Sequence, residues 1–239
     1  MQAPKLLPVG DAALSVEFAD AYSSEAAAHA RSLDRQLAGR EGIVECVPTL
    51  RSLLIHYDPA RLSLRGLTGL LRELPPVEAT EADGAEWSLP ICYDGEYAPD
   101  LAELAQRLGM TSEALVAIHA GGRYNSAMVG GYPGFAYLSG LDPRLAVPRR
   151  TTPRLAVPAG SLGVANAFTA VYPATVPGGW HIIGCTPVPL FDPARLDRPA
   201  LIATGDTVEF RPVSAGEFGS LEASFREGQA DPIATCRTP

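Results

Sequence analysis

The chain has 239 residues, of which 46% are hydrophobic and 19% charged, and its formal net charge is −8 at pH 7. This length allows one large domain or two smaller ones, each with its own core. The acidic balance argues against nucleic acid or an anionic membrane as a partner, because both require a basic surface. The apolar runs fall short of the roughly 20 residues that a membrane span requires, so we expect a cytoplasmic protein.

The first eighty residues predict a small unit of mixed secondary structure. Alternating apolar residues indicate strands, and apolar residues three and four apart between serine and glycine caps indicate two helices. This order favours two helices on one face of an antiparallel sheet, an α/β sandwich that we assign to residues 1–80. The predicted elements are a half-buried strand within 6–18 that follows a Gly10-Asp11 corner, a helix over 23–39, strands over 43–47 and 53–57, and a helix over 63–74.

A second, larger unit is predicted over residues 81–239, and it begins with short helices. Asp100 is expected to cap the first helix in a capping box with Glu103. The polar tail after Gly216 is expected to be partly loose. The elements predicted at the start of this unit are an acidic linker over 78–86, a strand over 87–93 and helices over 100–109 and 111–119.

Residues 130–191 form a block rich in turns, with 9 of the 22 prolines and 9 of the 23 glycines of the chain. Proline removes a backbone donor and fixes φ, whereas glycine supplies the positive φ of tight turns. The block therefore predicts short strands joined by shaped turns, and over about a hundred residues this favours a closed or nearly closed barrel.

Four arginines of this block form a basic patch in an acidic protein: Arg144, Arg149, Arg150 and Arg154. One interpretation is a wall that binds a small anion, because guanidinium groups match carboxylate or phosphate oxygens two at a time. The other interpretation is surface arginines paired with the acids of neighbouring loops. The sequence leaves both open.

Glycine corners beside aromatic residues suggest a place where a ligand approaches the backbone while a ring covers it. The alternative is that Phe135 and Trp180 fill the barrel core. The candidate substrate-binding residues are Tyr132, Pro133, Gly134, Phe135, Tyr137, Arg149, Arg150, Arg154, Gly178, Gly179 and Trp180.

The pattern identifies no catalytic residue. His119 and His181 flank the block, and either could carry a proton near pH 7. Ser161 follows a Pro-Ala-Gly sequence that is not a nucleophile elbow. The four cysteines form no C-x-x-C pair, so we predict inert thiols and no metal site. Lys5 is the only lysine, which excludes a Walker-type phosphate loop.

Several motifs in fixed order carry a resemblance to a known family. They include Tyr132-Pro133-Gly134-Phe135-Ala136-Tyr137-Leu138, Pro148-Arg149-Arg150, Pro153-Arg154, Val157-Pro158-Ala159-Gly160-Ser161, Pro177-Gly178-Gly179-Trp180 and Thr186-Pro187. Together they resemble the family that contains the 5-oxoprolinase subunit PxpB, the kinase inhibitor KipI and proteins labelled allophanate hydrolase subunit 1. This family is that of the carboxyltransferase domain, subdomain C and D. The resemblance covers nearly the whole chain.

The resemblance implies an α+β protein with a cyclophilin-like β-barrel after the small N-terminal domain. It implies a subunit of an ATP-dependent 5-oxoprolinase, which opens the small anion 5-oxoproline to L-glutamate. It also implies partners, namely a second barrel subunit resembling PxpC or KipA and a third oxoprolinase subunit. Because the chain has no Walker loop, ATP is expected at the level of the complex, at a site that the sequence does not assign.

Two alternatives stay open within the same resemblance. One is a KipI-like inhibitor of a sensor histidine kinase, and the other is a urea or amide carboxyltransferase component with a biotin-bearing partner. This chain also departs from the family pattern, which usually has arginine at the position of Cys185 and Gln-Thr-Gly where Phe168, Thr169 and Ala170 stand. The pocket is expected to differ from that of its relatives at these positions.

Overall fold

A computed structural model describes residues 4–75 and 84–238, so the predicted linker at 78–86 lies largely outside the described residues. The chain divides into two compact units, Met1–Ala82 and Asp83–Pro239. The first contains a four-stranded sheet and the second a closed barrel, each accompanied by helices. The α+β class predicted from the sequence is confirmed.

The sheet of the first unit is antiparallel and has two helices packed on one face. Residues 5–17 form a hairpin, in which the strand predicted after the Gly10-Asp11 corner is present and the segment before the corner forms a second strand. The hairpin turns at Gly10, whose φ of +60° favours glycine. Its first strand lies at the sheet edge with largely exposed side chains, so its sequence does not alternate. The strands are β1 (Lys5–Val9), β2 (Ala13–Glu17), β3 (Ile43–Pro48) and β4 (Ser52–Tyr57), in the order β1-β2-β4-β3.

Helices α1 (Ser24–Leu37) and α2 (Leu64–Glu73) begin where the sequence predicts. Each starts after a serine, Ser23 or Ser63, whose hydroxyl accepts a hydrogen bond from the backbone N–H three residues further on. The apolar faces of both helices meet the sheet in one core. The buried core residues are Leu14, Val16, Ala30, Leu33, Leu37, Leu53, Ile55, Tyr57 and Leu67.

The second unit is built around a closed barrel, as predicted. Its strands are β5 (Glu86–Cys92), β6 (Arg123–Val129), β7 (Ala136–Ser139), β9 (Ser161–Ala165), β10 (Phe168–Val171), β12 (His181–Cys185) and β13 (Thr207–Val213), while β8 (Arg154–Val157) and β11 (Val176–Gly178) form a separate two-stranded sheet. The barrel order is β10-β7-β6-β13-β5-β12-β9. The ladder between β5 and β13 is parallel, whereas the other ladders of the barrel are antiparallel.

Four helices accompany the barrel within the described residues: α3 (Leu101–Arg107), α4 (Ser112–Ala120), α5 (Ala215–Arg226) and α6 (Pro232–Cys236). The first two match the predicted pair. The expectation of a loose tail after Gly216 is wrong, because α5 and α6 occupy that region. Helix α5 is capped by the Ser214 hydroxyl, which accepts a hydrogen bond from the backbone N–H of Glu217, and Phe218 is buried against the barrel.

A buried carboxylate joins the first and last strands of the barrel. Asp206 is 3% exposed. Its Oδ1 accepts the backbone N–H of Ala85 at 2.9 Å, and its Oδ2 accepts Trp87 Nε1–H at 2.8 Å and the N–H of Ala203 at 2.9 Å. Arg198 also donates to Oδ2, and its guanidinium lies 4.9 Å from the centre of the Trp87 ring. One side chain therefore holds β5 to the turn that precedes β13.

Candidate functional site

Asp100, which precedes α3, organises the candidate site. Its predicted role as a helix cap is wrong, because its φ of −105° and ψ of −3° are helical and its carboxylate makes no capping bond. The carboxylate instead accepts the backbone N–H of Ile182 at 2.6 Å and hydrogen bonds from Arg150 and Arg154. Charge-assisted bonds to two guanidinium groups are stronger than a cap on a short helix.

We call Asp100, Arg150 and Arg154 the Asp100 junction, because both arginines bind the same carboxylate. Arg154 donates from Nη2 to Oδ1 at 2.6 Å and from Nη1 to Oδ2 at 2.9 Å, and Arg150 donates from Nη1 to Oδ1 at 3.1 Å. The Asp100 side chain is 4% exposed. Its hydrogen bonds raise the pKa of Arg154 above the ordinary value. Two positive charges and one negative charge leave the junction with a net charge of +1.

The four arginines of the predicted basic patch have different surroundings. Arg144 pairs with Asp142 at 2.7 Å, and hydrogen bonds from Arg144 lower the pKa of that carboxyl to about 2. Arg150 and Arg154 share the carboxylate of the Asp100 junction. Arg149 is exposed and makes no ion pair within residues 84–238. Three of the four arginines are therefore paired with acids from neighbouring segments, as the second interpretation of the basic patch predicted.

A groove with a volume of about 580 Å³ opens beside Arg154, and we call it the Arg154 groove. Its size suits a small molecule. Four aromatic residues and five prolines are among the residues that line it, and one arginine and two glutamates add charge. Its lining includes Glu96, Tyr97, Arg154, Ala159, Gly160, Ser161, Tyr172, Cys185, Phe191, Phe218 and Glu222.

Three predicted binding residues, Phe135, Tyr137 and Trp180, form an aromatic cluster with Tyr172 and Phe168. Phe135 and Tyr137 each meet the Trp180 ring edge to face, with ring centres 5.8 Å apart. Phe135 and Trp180 are 5% and 4% exposed. Phe135 and Trp180 are therefore buried, but they lie in this aromatic cluster and not among the residues of the main barrel core. Through Tyr172 the cluster supports the Arg154 groove from behind.

Gly178 allows the chain to pack closely against itself. A Cβ on Gly178 would lie 2.3 Å from the hydroxyl oxygen of Tyr172, so a larger residue would push the ring away. The carbonyl of Gly179 accepts the backbone N–H of Arg150 at 2.7 Å. This segment is thereby fixed beside the Asp100 junction, and Gly178 serves internal packing.

Tyr132, Pro133 and Gly134 occupy the turn before β7. The Tyr132 side chain is 41% exposed. Gly134 has a φ of +79°, and a Cβ there would lie 3.0 Å from the Cβ of Phe191, a groove residue. The turn thus braces the groove wall. Of the eleven predicted binding residues, Arg154 is the one that lines the groove within the described residues.

A polar network lies inside the barrel around His119, which is fully buried. Its Nδ1 is 2.9 Å from the Tyr93 hydroxyl, and its Nε2 is 3.0 Å from Thr169 Oγ1. The Thr169 hydroxyl donates to the carbonyl of Gly163 at 3.0 Å, so it accepts from Nε2–H while Nδ1 accepts from Tyr93. Burial lowers the pKa of His119 to about 3. His119 is therefore neutral near pH 7, and its predicted use as a proton carrier is wrong.

Replacing His119 with glutamine is expected to weaken the pH dependence of barrel stability. In the folded state the ring stays neutral down to about pH 3, whereas the unfolded chain binds a proton below about pH 6.5. The contribution of His119 to the free energy of unfolding is therefore fully present above pH 6.5. It decreases as the pH falls, and about 2 kcal/mol is lost at pH 5. Urea unfolding near neutral pH and at about pH 5 should show a decrease smaller by that amount in His119→Gln.

Tryptophan fluorescence isolates the relevant transition, because the two tryptophans of the chain, Trp87 and Trp180, both belong to the second unit. His56→Gln, on β4 of the first unit, is the matched control and should leave the pH dependence of this signal unchanged. An equal decrease in the native protein and His119→Gln would contradict the prediction.

Helix α5 supplies groove residues that were not predicted. Phe218 and Glu222 line the groove, and the Phe218 ring lies 4.4 Å from that of Tyr97, centre to centre. A signal for the helix was present in Ser214 and Glu217, which have the spacing of a capping box. Two glycines in the first turns concealed it.

Other chemistry at the site is limited. Within residues 4–75 and 84–238, no group of three or more histidine, cysteine, aspartate or glutamate side chains could hold a metal ion. His181 is buried, and its Nε2 donates to the carbonyl of Pro148 at 3.1 Å. In the described part of the chain, none of the helices has the length and apolar character needed to cross a bilayer. The Arg154 groove and the Asp100 junction together form the candidate site.

The barrel and its companion sheet define a class of α+β protein, and comparisons identify the family. The family model of the carboxyltransferase domain, subdomain C and D, matches residues 4–202 of this chain. The chain is 34% identical over 226 residues to a 5-oxoprolinase subunit of Bacillus subtilis, covering 88% of this chain and 93% of that protein. It is 36% identical over 217 residues to the Escherichia coli O157:H7 protein of the same name, covering 90% and 99%. The chain belongs to the carboxyltransferase domain, subdomain C and D, family.

A solved structure agrees with this assignment. The crystal structure of TTHA0988 is 36% identical in sequence and superposes with a TM-score of 0.75, covering 85% of this chain. This chain spans 40% of that longer chain. The match therefore supports the fold of this chain and leaves the rest of TTHA0988 without a counterpart in the alignment.

Proposed function

We propose that this protein is a subunit of an ATP-dependent 5-oxoprolinase, which opens the lactam ring of 5-oxoproline to L-glutamate together with partner subunits. The observation that carries the proposal is the similarity to two proteins named as the same 5-oxoprolinase subunit, over almost their full lengths. Because those proteins are named as subunits, we expect this chain to act in a complex with a second barrel subunit and a third subunit.

The Arg154 groove is the surface that we assign to the substrate. 5-Oxoproline carries a carboxylate on a small, largely apolar ring. Arg154 is the cation among the residues that line the groove, and we expect it to bind the carboxylate although Glu96 and Glu222 line the same groove, while the aromatic walls suit the ring. His119 is enclosed in the barrel and does not line the groove, and its low pKa makes it a weak base, so we do not assign it the role of general base.

ATP would supply the activation that an unreactive amide bond needs before water can open it. The chain has no Walker-type phosphate loop, because its only lysine, Lys5, lies outside any glycine-rich loop and pairs with Asp20 at 2.6 Å on an exposed surface. We therefore expect ATP at the level of the complex, either at a site of another type or in a partner subunit.

The test is an assay of the assembled complex with a groove variant. Ala159 is exposed and lines the groove, so Ala159→Trp is expected to fill it and lower kcat/KM for 5-oxoproline about tenfold, equivalent to about 1.4 kcal/mol of binding. Ala156→Trp is the matched control, because Ala156 is equally exposed on β8 but does not line the groove. Glutamate formation and ATP consumption are measured together.

Two outcomes would contradict parts of the proposal. A fully assembled native complex that forms no glutamate from 5-oxoproline would reject the function. An active native complex in which Ala159→Trp and Ala156→Trp behave alike would reject the groove as the substrate site while leaving the function. The kinase-inhibitor and carboxyltransferase alternatives stay predictions from the resemblance.

A further inference from the structure

Two free cysteines face each other where β5 meets β12. Cys92 ends β5 and Cys185 ends β12, and they are direct partners in the antiparallel register. Directly opposed residues in such a ladder have Cα atoms about 4.5–5.5 Å apart and side chains on one face. A disulfide requires a Cα separation of about 4.4–6.8 Å. The backbone therefore already satisfies the geometric requirement for a bond between these residues.

A bulge in β12 places Cys185 on the face that holds Cys92. The register between β12 and β9 shifts around Ile183, which is an extra residue between two paired positions. Beyond the bulge, Gly184 faces the barrel interior, where a Cβ on it would lie 2.7 Å from the Ile91 side chain. Because side chains alternate along a strand, Cys185 then faces outward.

The two thiols share one apolar cluster outside the barrel but differ in access. The cluster contains Cys92, Val213 and Phe218, with Tyr97 and Cys185 packed against it. Cys92 is completely buried, whereas Cys185 is partly exposed and lines the Arg154 groove. A small oxidant therefore reaches Cys185 first, and Cys92 is positioned to react with the oxidised sulfur.

The pair also lies at one of the two seams of the barrel that have a single residue pair in register among the described residues. Among the described residues, β5 and β12 are in register at Cys92 and Cys185 alone. On its other edge, β5 pairs with β13 along its whole length. A covalent bond at the single shared position would fix β5 to β12 next to the groove.

We propose that Cys92 and Cys185 form an intramolecular disulfide beneath the Arg154 groove when hydrogen peroxide oxidises the folded chain. The Cys185 thiolate attacks one peroxide oxygen, the O–O bond breaks, and sulfenic acid and hydroxide form. The Cys92 sulfur then attacks the sulfenic sulfur, the S–S bond forms, and the oxygen leaves as water with the thiol proton. In total two thiols lose two electrons and two protons, and one hydrogen peroxide becomes two waters.

The rate of this reaction is expected to rise with pH. Burial raises the pKa of Cys185 to about 11 and also raises that of Cys92. The thiolate fraction therefore increases about tenfold for each pH unit between neutral pH and about pH 9. The other titratable groups that act on the pair are Tyr97, Asp94 and Glu222.

The experiment treats the full chain with hydrogen peroxide at several pH values, followed by intact mass measurement and peptide mapping without reduction. The native protein should lose the mass of two hydrogen atoms and yield a linked peptide pair containing Cys92 and Cys185. Cys92→Ser should instead keep a sulfenic acid at Cys185 that dimedone traps. Cys236→Ser, which removes a buried cysteine outside the pair, is the matched control and should oxidise like the native protein.

A second measurement follows the consequence for the barrel. Oxidation should move the urea midpoint of the tryptophan fluorescence transition upward, and a dithiol reductant should restore it. The proposal is overturned if the folded native protein keeps all four thiols under peroxide, or if the disulfide maps to another pair or joins two chains. These readouts do not depend on turnover of 5-oxoproline, so they stand apart from the test of the proposed function.

Discussion

Replacing Asp100 with asparagine is expected to destabilise the barrel unit by about 3 kcal/mol. The native carboxylate accepts hydrogen bonds from Arg150, Arg154 and the backbone N–H of Ile182. Asparagine keeps the size of the side chain but removes its charge and turns an NH₂ group toward donors. Two arginines whose side chains are each 28% exposed would then face each other without a counter-ion.

Urea unfolding followed by tryptophan fluorescence measures this loss in the barrel alone. Asp142→Asn is the matched control, because Asp142 also pairs with an arginine but does so at the surface. Exposed ion pairs contribute at most about 1 kcal/mol, so the control should unfold close to the native midpoint. Equal midpoints for Asp100→Asn and the native protein would show that the Asp100 junction does not stabilise the barrel.

Replacing Asp206 with alanine is expected to cost about 4 kcal/mol of barrel stability. The change would leave the N–H groups of Ala85, Trp87 and Ala203 without their acceptor in a buried region. It would also remove the counter-ion of Arg198. The effect should exceed that of Asp100→Asn because three neutral donors and a guanidinium group lose their partner at once.

The matched control is Asp231→Ala in the same unit. Asp231 caps α6 and pairs with Arg195 at the surface, so its loss should cost about 1 kcal/mol. The same fluorescence transition reports on both variants. If Asp206→Ala and Asp231→Ala shift the urea midpoint equally, the buried carboxylate is no more important than a surface helix cap, and the prediction fails.

Local sequence patterns predicted most of the elements. Serine caps and apolar periodicity located α1 and α2, and the density of proline and glycine indicated short strands in a barrel. Several elements were not predicted, among them β1, α5 and α6, and the signals of β1 and α5 were weak. The edge strand β1 has mostly exposed side chains without alternation, and the glycines at positions 216 and 219 concealed the amphipathic pattern of α5.

The candidate site was less predictable because its contacts join distant parts of the chain. Asp100 has the local signature of a helix cap, yet its partners lie 50, 54 and 82 positions further on. Phe135 and Trp180 were both named as candidate residues, but only the three-dimensional packing separates a buried ring from a ring over a ligand. The pairing of Cys92 with Cys185 depends on the bulge at Ile183, which leaves no signature in the sequence.

The parallel ladder between β5 and β13 has a consequence for how the protein is made. β5 is the first barrel strand to leave the ribosome and β13 is the last, and the Ala85–Asp206 hydrogen bond spans 121 positions. Such long-range closure folds slowly, and domains form only when their full sequence is available. Newly synthesised β5 therefore has no partner for its long parallel ladder until residues 207–213 emerge. The barrel closes after its synthesis is nearly complete, and this interval is when the nascent chain is most open to aggregation or to a chaperone.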